Sequence, residues 1–176
     1  MATEWGVPTY DDRRLFEMLT LEVFQAGLSW AVILCKREAL RCAFAGFDPA
    51  RIARWGAGAV RRLLANAAII RNRRKIEAVI ANARAFCRVQ KEHQSFARYV
   101  WNFIGGRPIK PARPYRSWAE VPAQTQLSRQ LSADLRRRGF RFMGPTATYA
   151  FMQAVGLVDD RLTECQLARD NCPQLI

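Results

Sequence analysis

"LLANAAIIRNRRKIEAVI", residues 63–80, decides the fold. Leu63 and Leu64 close one helical pattern, and Ile76, Val79 and Ile80 open another at helical spacing. Between them lies a short apolar hairpin, "AIIR", followed by Asn72, a residue type that favours the N-cap. Arg71, Arg73, Arg74 and Lys75 surround the start of the second helix. Free N–H groups and the positive end of the helix dipole already favour an anion there. The added cations make it a candidate phosphate site, the alternative being a solvated run of charge.

Outward from the hairpin the pattern stays helical. "DDRRLFEMLTLEVFQAG" carries Asp at its start and Gly at its end, a cap signal at each. "SWAVILCKREALRCAFAGF" reads as the next helix, and "DPARIARW" as a short one with Asp and Pro at its N-terminus. "NRRKIEAVIANARAFCRVQ", "SFARYVWNFIGG", "QLSRQLSADLRRRGF" and "GPTATYAFMQAVG" complete the set. Four prolines between Pro108 and Pro122 make that stretch an irregular surface loop. No strand pattern and no repeat occurs, so the class is all-α, with residues 1–176 forming one domain and an irregular tail over 166–176.

The chain has 176 residues, half of them hydrophobic, and a formal charge of +13. That excess favours a polyanionic partner, nucleic acid first and an anionic membrane surface second, unless it reflects arginine-rich composition alone. No run is long enough to span a bilayer, and the acidic start is unlike a signal peptide, so a cytoplasmic protein is expected. The five cysteines suggest no disulfide framework, and Cys35, Cys42 and Cys87 read as small buried side chains. The single histidine, His93, reads as a solvated helix end.

Glu22 is the odd residue of the first helix. Arg13, Glu17 and Thr20 recur at spacings of four and three and read as its polar face. Glu22, two residues past Thr20, points about 200° away. It falls among Leu15, Met18, Leu19 and Ala26. A carboxylate there is either neutralised by an arginine or placed in a pocket for a cationic or hydrogen-bonding ligand. Trp30, across the "QAGLS" turn, is either core or a wall of that pocket, and the place of Trp5 is open.

"EWGVP", "LFEMLTLEVFQAGLSW", "FDPARIA", "AAIIRNRRKIEAVIANARAF", "YVWNFI" and the stretch from Val121 to Asp160 resemble, in order, the segments of the 3-methyladenine DNA glycosylase I family. The resemblance covers residues 4 to about 165, and "LEVFQAGLSW" is its most specific part. It implies a helix-hairpin-helix DNA repair fold and excision of 3-methyladenine from alkylated double-stranded DNA. Such enzymes flip the nucleotide out of the duplex. By resemblance, Glu22 is the catalytic carboxylate and reads the flipped base, Trp30 stacks on it, and Trp5 lines the pocket. Gly27 and Leu28 enter the vacated space, with Gln25 supporting the turn. Ala68, Ile69, Ile70, Arg71, Asn72, Arg73 and Lys75 hold phosphate. No protein partner is implied, and a monomer is expected.

This chain departs from the family pattern in places. The family's segment upstream of "EWGVP", with a Cys, a Trp, two Tyr and a His, has no counterpart after Met1, so an N-terminally truncated form is expected. The resemblance implies a structural zinc held by a Cys and a His from that segment and a His and a Cys near the end. Here Cys165 matches one ligand and Arg161 replaces another, so no zinc and no cofactor is expected. The missing tyrosines imply a more exposed Glu22. Ala68 and Arg74 stand where glycines are usual, which implies a perturbed hairpin backbone. The alternative function is a degenerate, non-catalytic DNA-binding relative that has lost its base pocket and zinc site.

Overall fold

A computed structural model describes residues 5–111, 113 and 115–160. Nine α-helices occur among them: α1 (Asp12–Gln25), α2 (Trp30–Cys35), α3 (Arg37–Ala43), α4 (Pro49–Ala53), α5 (Ala57–Ala65), α6 (Arg73–His93), α7 (Phe96–Phe103), α8 (Gln126–Arg137) and α9 (Pro145–Ala154). The only extended pairing among the described residues is an isolated bridge between Ile109 and Val158. No described helix is long and apolar enough to cross a membrane.

Local chemistry starts the helices where the sequence placed them. The side chains of Asp11, Ser29, Asp48, Asn72, Ser95 and Thr125 each accept an N–H from the first turn of the helix that follows. α1 runs through the middle of the molecule, and every residue from Leu15 to Phe24 is buried. The long α6 packs on α1, α4, α5 and α7, and α9 packs on α1 and α8. Asp12 ties two of these together: its carboxylate accepts from the N–H groups of Phe96 and Ala97 at the start of α7. One cluster of buried side chains extends from Leu15 to Val158.

The stretch expected to form one helix after Ser29 forms two. The chain turns at Lys36 (φ −99°, ψ 1°), so that Ile33 of α2 and Leu40 of α3 can both reach the core. Cys35 and Cys42 consequently lie exposed and Cys87 partly buried, which corrects their reading as buried side chains.

The expected polar face of α1 is also mostly interior. Arg13 is exposed, but Glu17 and Thr20 are buried. The Glu17 carboxylate accepts from Arg14 Nη1 (3.1 Å), Arg37 Nε (2.7 Å) and Arg41 Nη2 (2.9 Å), which fastens α3 to α1. Removing one partner of a buried ion pair leaves charge without compensation. Glu17→Ala is therefore expected to lower stability by about 3 kcal/mol. Denaturant unfolding checks this, and a change under about 0.5 kcal/mol, the range of an ordinary surface substitution, would show the cluster to be ornamental.

Two segments strap onto the end of α9. Gly6 N donates to Ala154 O (3.1 Å) and Thr9 N to Val155 O (3.2 Å). In the proline-rich loop, Ile109 N donates to Leu157 O and its carbonyl accepts from Asp159 N. The first of these straps carries Trp5 across to the face where α1 gives way to α2.

Candidate active site

Glu22, Trp5, Gln25, Trp30 and Ala150 line a cavity of about 400 Å³. Four elements build it: the end of α1, the start of α2, the N-terminal strap and α9. The indoles of Trp5 and Trp30 meet edge to face, with centroids 5.2 Å apart and planes at 71°. They leave a largely apolar slot with a carboxyl group in its wall, a form suited to a flat heteroaromatic ligand.

Glu22 is 2 % exposed. No hydrogen-bond donor reaches its carboxyl among the described residues, and no arginine neutralises it there. Arg14, Arg37 and Arg41 donate to Glu17, one turn and a half away on another face, and Arg13 pairs with Asp48. Burial pushes the Glu22 carboxyl up to about 8. It is a group whose charge is costly in the empty pocket and favoured once a cation enters.

The turn leaving α1 is tightly made. Leu28 N donates to Gln25 O (2.7 Å), and Gln25 Nε2 donates to Leu28 O (3.0 Å). Gly27 sits at φ +78°, where a side chain would be strained. Leu28 is left 37 % exposed at the tip, beside the cavity wall.

The hairpin between α5 and α6 is self-satisfied over part of its length. Ala68 N donates to Asn66 Oδ1, Ile69 N to Asn66 O and Asn72 N to Ile70 O. Ile69 is buried. The N–H groups of Ile70 and Arg71 have no acceptor among the described residues, and those of Arg73 and Arg74 lie in the first turn of α6, beyond reach of an intrahelical carbonyl. Ala68 is not among the residues with positive φ, so its backbone carries no strain that glycine would relieve. Arg74 lies within α6, where no glycine is required.

Lys75 is not free for phosphate, which corrects the expectation drawn from its position. It is 5 % exposed, and its ammonium donates to Phe24 O (2.7 Å) and Ala26 O (2.6 Å). Burial draws its pKa below the ordinary lysine value. Phe24 lies in the last turn of α1 and Ala26 is its C-cap, where no intrahelical N–H can satisfy their carbonyls, so the lysine caps the end of that helix. Ala150 and Lys36 also went unforeseen. Ala150 carried no signal beyond being small, and no sequence pattern singled out Lys36, whose ammonium donates to Ala68 O (2.9 Å). Arg161 and Cys165, the positions expected to decide the zinc question, lie outside the described residues. Among the described residues no three His, Cys, Asp or Glu side chains are grouped so as to hold a metal ion.

The methyladenine glycosylase family matches residues 2–169. The chain is 44 % identical over 170 residues to DNA-3-methyladenine glycosylase 1 of Escherichia coli, covering 97 % of this chain and 90 % of that protein. It is 44 % identical over 162 residues to DNA-3-methyladenine glycosylase of Haemophilus influenzae, covering 92 % and 86 %. Its fold superposes on a crystal structure of 3-methyladenine DNA glycosylase I with a TM-score of 0.87 at 49 % identity, covering 92 % and 88 % of the two chains.

Proposed function

The chain belongs to the methyladenine glycosylase family, and from that membership we infer its activity. It is a DNA-3-methyladenine glycosylase, which hydrolyses the N-glycosidic bond of 3-methyladenine flipped out of alkylated DNA in base excision repair. The observation that carries this reading over a degenerate DNA-binding relative is the cavity itself, with Glu22 and two indoles around one slot.

The chemistry follows from the ligand's charge. Methylation at a ring nitrogen makes the base in DNA a cation and a good leaving group. We assign Glu22 the task of selecting that cation, since an ionised carboxylate in an apolar slot favours a positive ring and gives a neutral adenine nothing to offset its desolvation. Trp30 stacks on the base and Trp5 closes the edge. The bond between the sugar carbon and the base breaks, and its electron pair leaves with the purine, cancelling the purine's charge. Water adds to the oxocarbenium-like sugar carbon and loses a proton. Leu28, on the Gly27 turn held by Gln25, fills the gap in the duplex. The N–H groups of Ile70 and Arg71 and the side chains of Arg71 and Arg73 meet phosphate, with Ala68, Ile69 and Asn72 shaping the loop that presents them. We place this work in the cytoplasm and in a monomer whose whole chain is one glycosylase domain.

The test is release of free 3-methyladenine from methylated duplex at low salt. Leu28→Ala is expected to lower kcat about tenfold, the penalty for losing an apolar wedge worth about 1.4 kcal/mol. With Arg71 and Arg73 neutralising two phosphates, duplex affinity should fall about tenfold between 50 and 200 mM salt. Duplex binding with no release above background would instead establish the degenerate relative.

A further inference from the structure

Two lysines link the base pocket to the hairpin, and the link closes a circuit. From the last turn of α1 the chain passes through the Gly27–Leu28 turn and α2 to Lys36. The Lys36 ammonium holds Ala68 O of the hairpin. The hairpin leads through Asn72 into α6, whose third residue, Lys75, holds Phe24 O and Ala26 O at the end of α1. Every bond in the circuit that crosses between elements is an ammonium on a backbone carbonyl. Such charge-assisted bonds are short and strong, and those of Lys75 are shielded from water.

We propose that Lys36 and Lys75 are positioning residues that fix the hairpin relative to the Gly27–Leu28 turn, so that gripping the phosphates sets the turn in register with the base pocket. The proposal rests on the reading of hairpin and turn as DNA contacts. Three observations favour it over mere helix capping. Lys75 reaches carbonyls on both sides of Gln25, the residue that braces the turn through Leu28 O. Glu22 O accepts the N–H of Ala26, so the pocket carboxylate and the lysine's anchor share one helical turn. Lys36 stands at the break between α2 and α3, six residues after the start of α2 at Trp30, and grips the hairpin rather than the nearby helix ends. Neither ammonium lies in the cavity lining, so neither is assigned a part in the bond cleavage.

Four measurements on Lys36→Met, Lys75→Met and the double variant test this: kcat on methylated duplex, affinity for undamaged duplex, affinity for free 3-methyladenine, and flipping reported by 2-aminopurine fluorescence. In each single variant kcat and the flipping signal should fall about tenfold, while affinity for the free base and for undamaged duplex stays within about threefold. Because opening either tie opens the whole circuit, the double variant should be no worse than the worse single one, a departure from the additivity of independent sites. Lys36 is partly exposed, so its variant carries the test even if Lys75→Met fails to fold. Unchanged kcat in Lys36→Met would overturn the proposal. So would parallel loss of free-base affinity, which would make the lysines part of the pocket, or loss of duplex affinity alone, which would make them phosphate ligands. Leu28→Ala and Arg73→Ala separate the underlying reading. If they leave flipping and duplex affinity untouched, hairpin and turn are not the DNA contacts, whatever the lysines do.

Discussion

Glu22→Gln is expected to lose excision of 3-methyladenine by about 10²–10³-fold, the range for removing one preorganised charged or hydrogen-bonding group from a dry site. The same change is expected to stabilise the protein at neutral and alkaline pH. The two effects have one cause. The Glu22 carboxyl sits in an apolar wall with no donor among the described residues, and burial raises it from 4.5 to about 8. Below pH 4.5 it is protonated in both the folded and unfolded chain and carries no penalty. Between those values the unfolded chain ionises while the folded one holds its proton, so stability falls as pH rises and levels off above about 8. The full span corresponds to at most about 5 kcal/mol. Glutamine never ionises, so the variant escapes that loss. Unfolding followed across this range should give curves that meet in acid and diverge with the variant above. Equal stabilities at pH 9, together with unimpaired excision, would remove Glu22 from the pocket's chemistry.

The same group sets the pH profile of catalysis. The kcat/KM of a cation-selecting carboxylate follows its ionisation in the free enzyme, so it should rise with pH, with its midpoint at about 8 and its plateau above that. A bound cation favours the carboxylate, so kcat should level off at lower pH than kcat/KM. The empty pocket thus resists charge, and the damaged base supplies the charge that makes ionisation favourable.

What the sequence disclosed was mostly local. Caps at Asp11, Ser29, Asp48, Asn72 and Ser95 act within three residues, and each is readable from a short window. Glu22 was legible because its angular offset from the rest of the polar residues needs only the helical period. Glu17 misled by the same rule: its partners Arg37 and Arg41 lie 20 and 24 residues away, and periodicity cannot show that a polar face is covered by another helix. Lys75 misled more sharply. A cation beside a helix N-terminus reads as an anion ligand, but its acceptors are 51 and 49 residues back in the chain. The break at Lys36 and the exposure of Cys35 likewise follow from packing that no single helix pattern contains. The resemblance put Glu22, Trp30 and Trp5 in one pocket and Gln25 at the turn, and the cavity lining of the fold adds Gln25 and Ala150, a small residue with no signal of its own.

Gly156→Ala should cost about 3 kcal/mol and weaken binding of 3-methyladenine about tenfold, although Gly156 does not line the pocket. Gly156 has φ +72°, and a Cβ there would lie 2.4 Å from Pro8 N and 2.5 Å from the carbonyl carbon of Val7. Those are backbone atoms and cannot swing aside as a side chain can. The left-handed backbone adds about 1–2 kcal/mol for any residue with a Cβ. Something must yield, and the magnitudes indicate what. Moving α9 would disturb buried Phe151, Met152 and Leu157, at several kcal/mol for the core. Releasing residues 5–8 loses the Gly6–Ala154 hydrogen bond, about 1 kcal/mol, and the burial of Trp5. Thr9 and Tyr10 stay anchored, through Trp101 Nε1 on Thr9 O and the stacking of Tyr10 on Trp101. The strap therefore peels only as far as Pro8, and it takes Trp5 off Trp30 and opens the cavity. Trp5→Ala is the reference: it should match Gly156→Ala in lost base affinity while costing less stability. If Gly156→Ala loses stability but binds 3-methyladenine as tightly as the parent, the strap has held and α9 has moved instead.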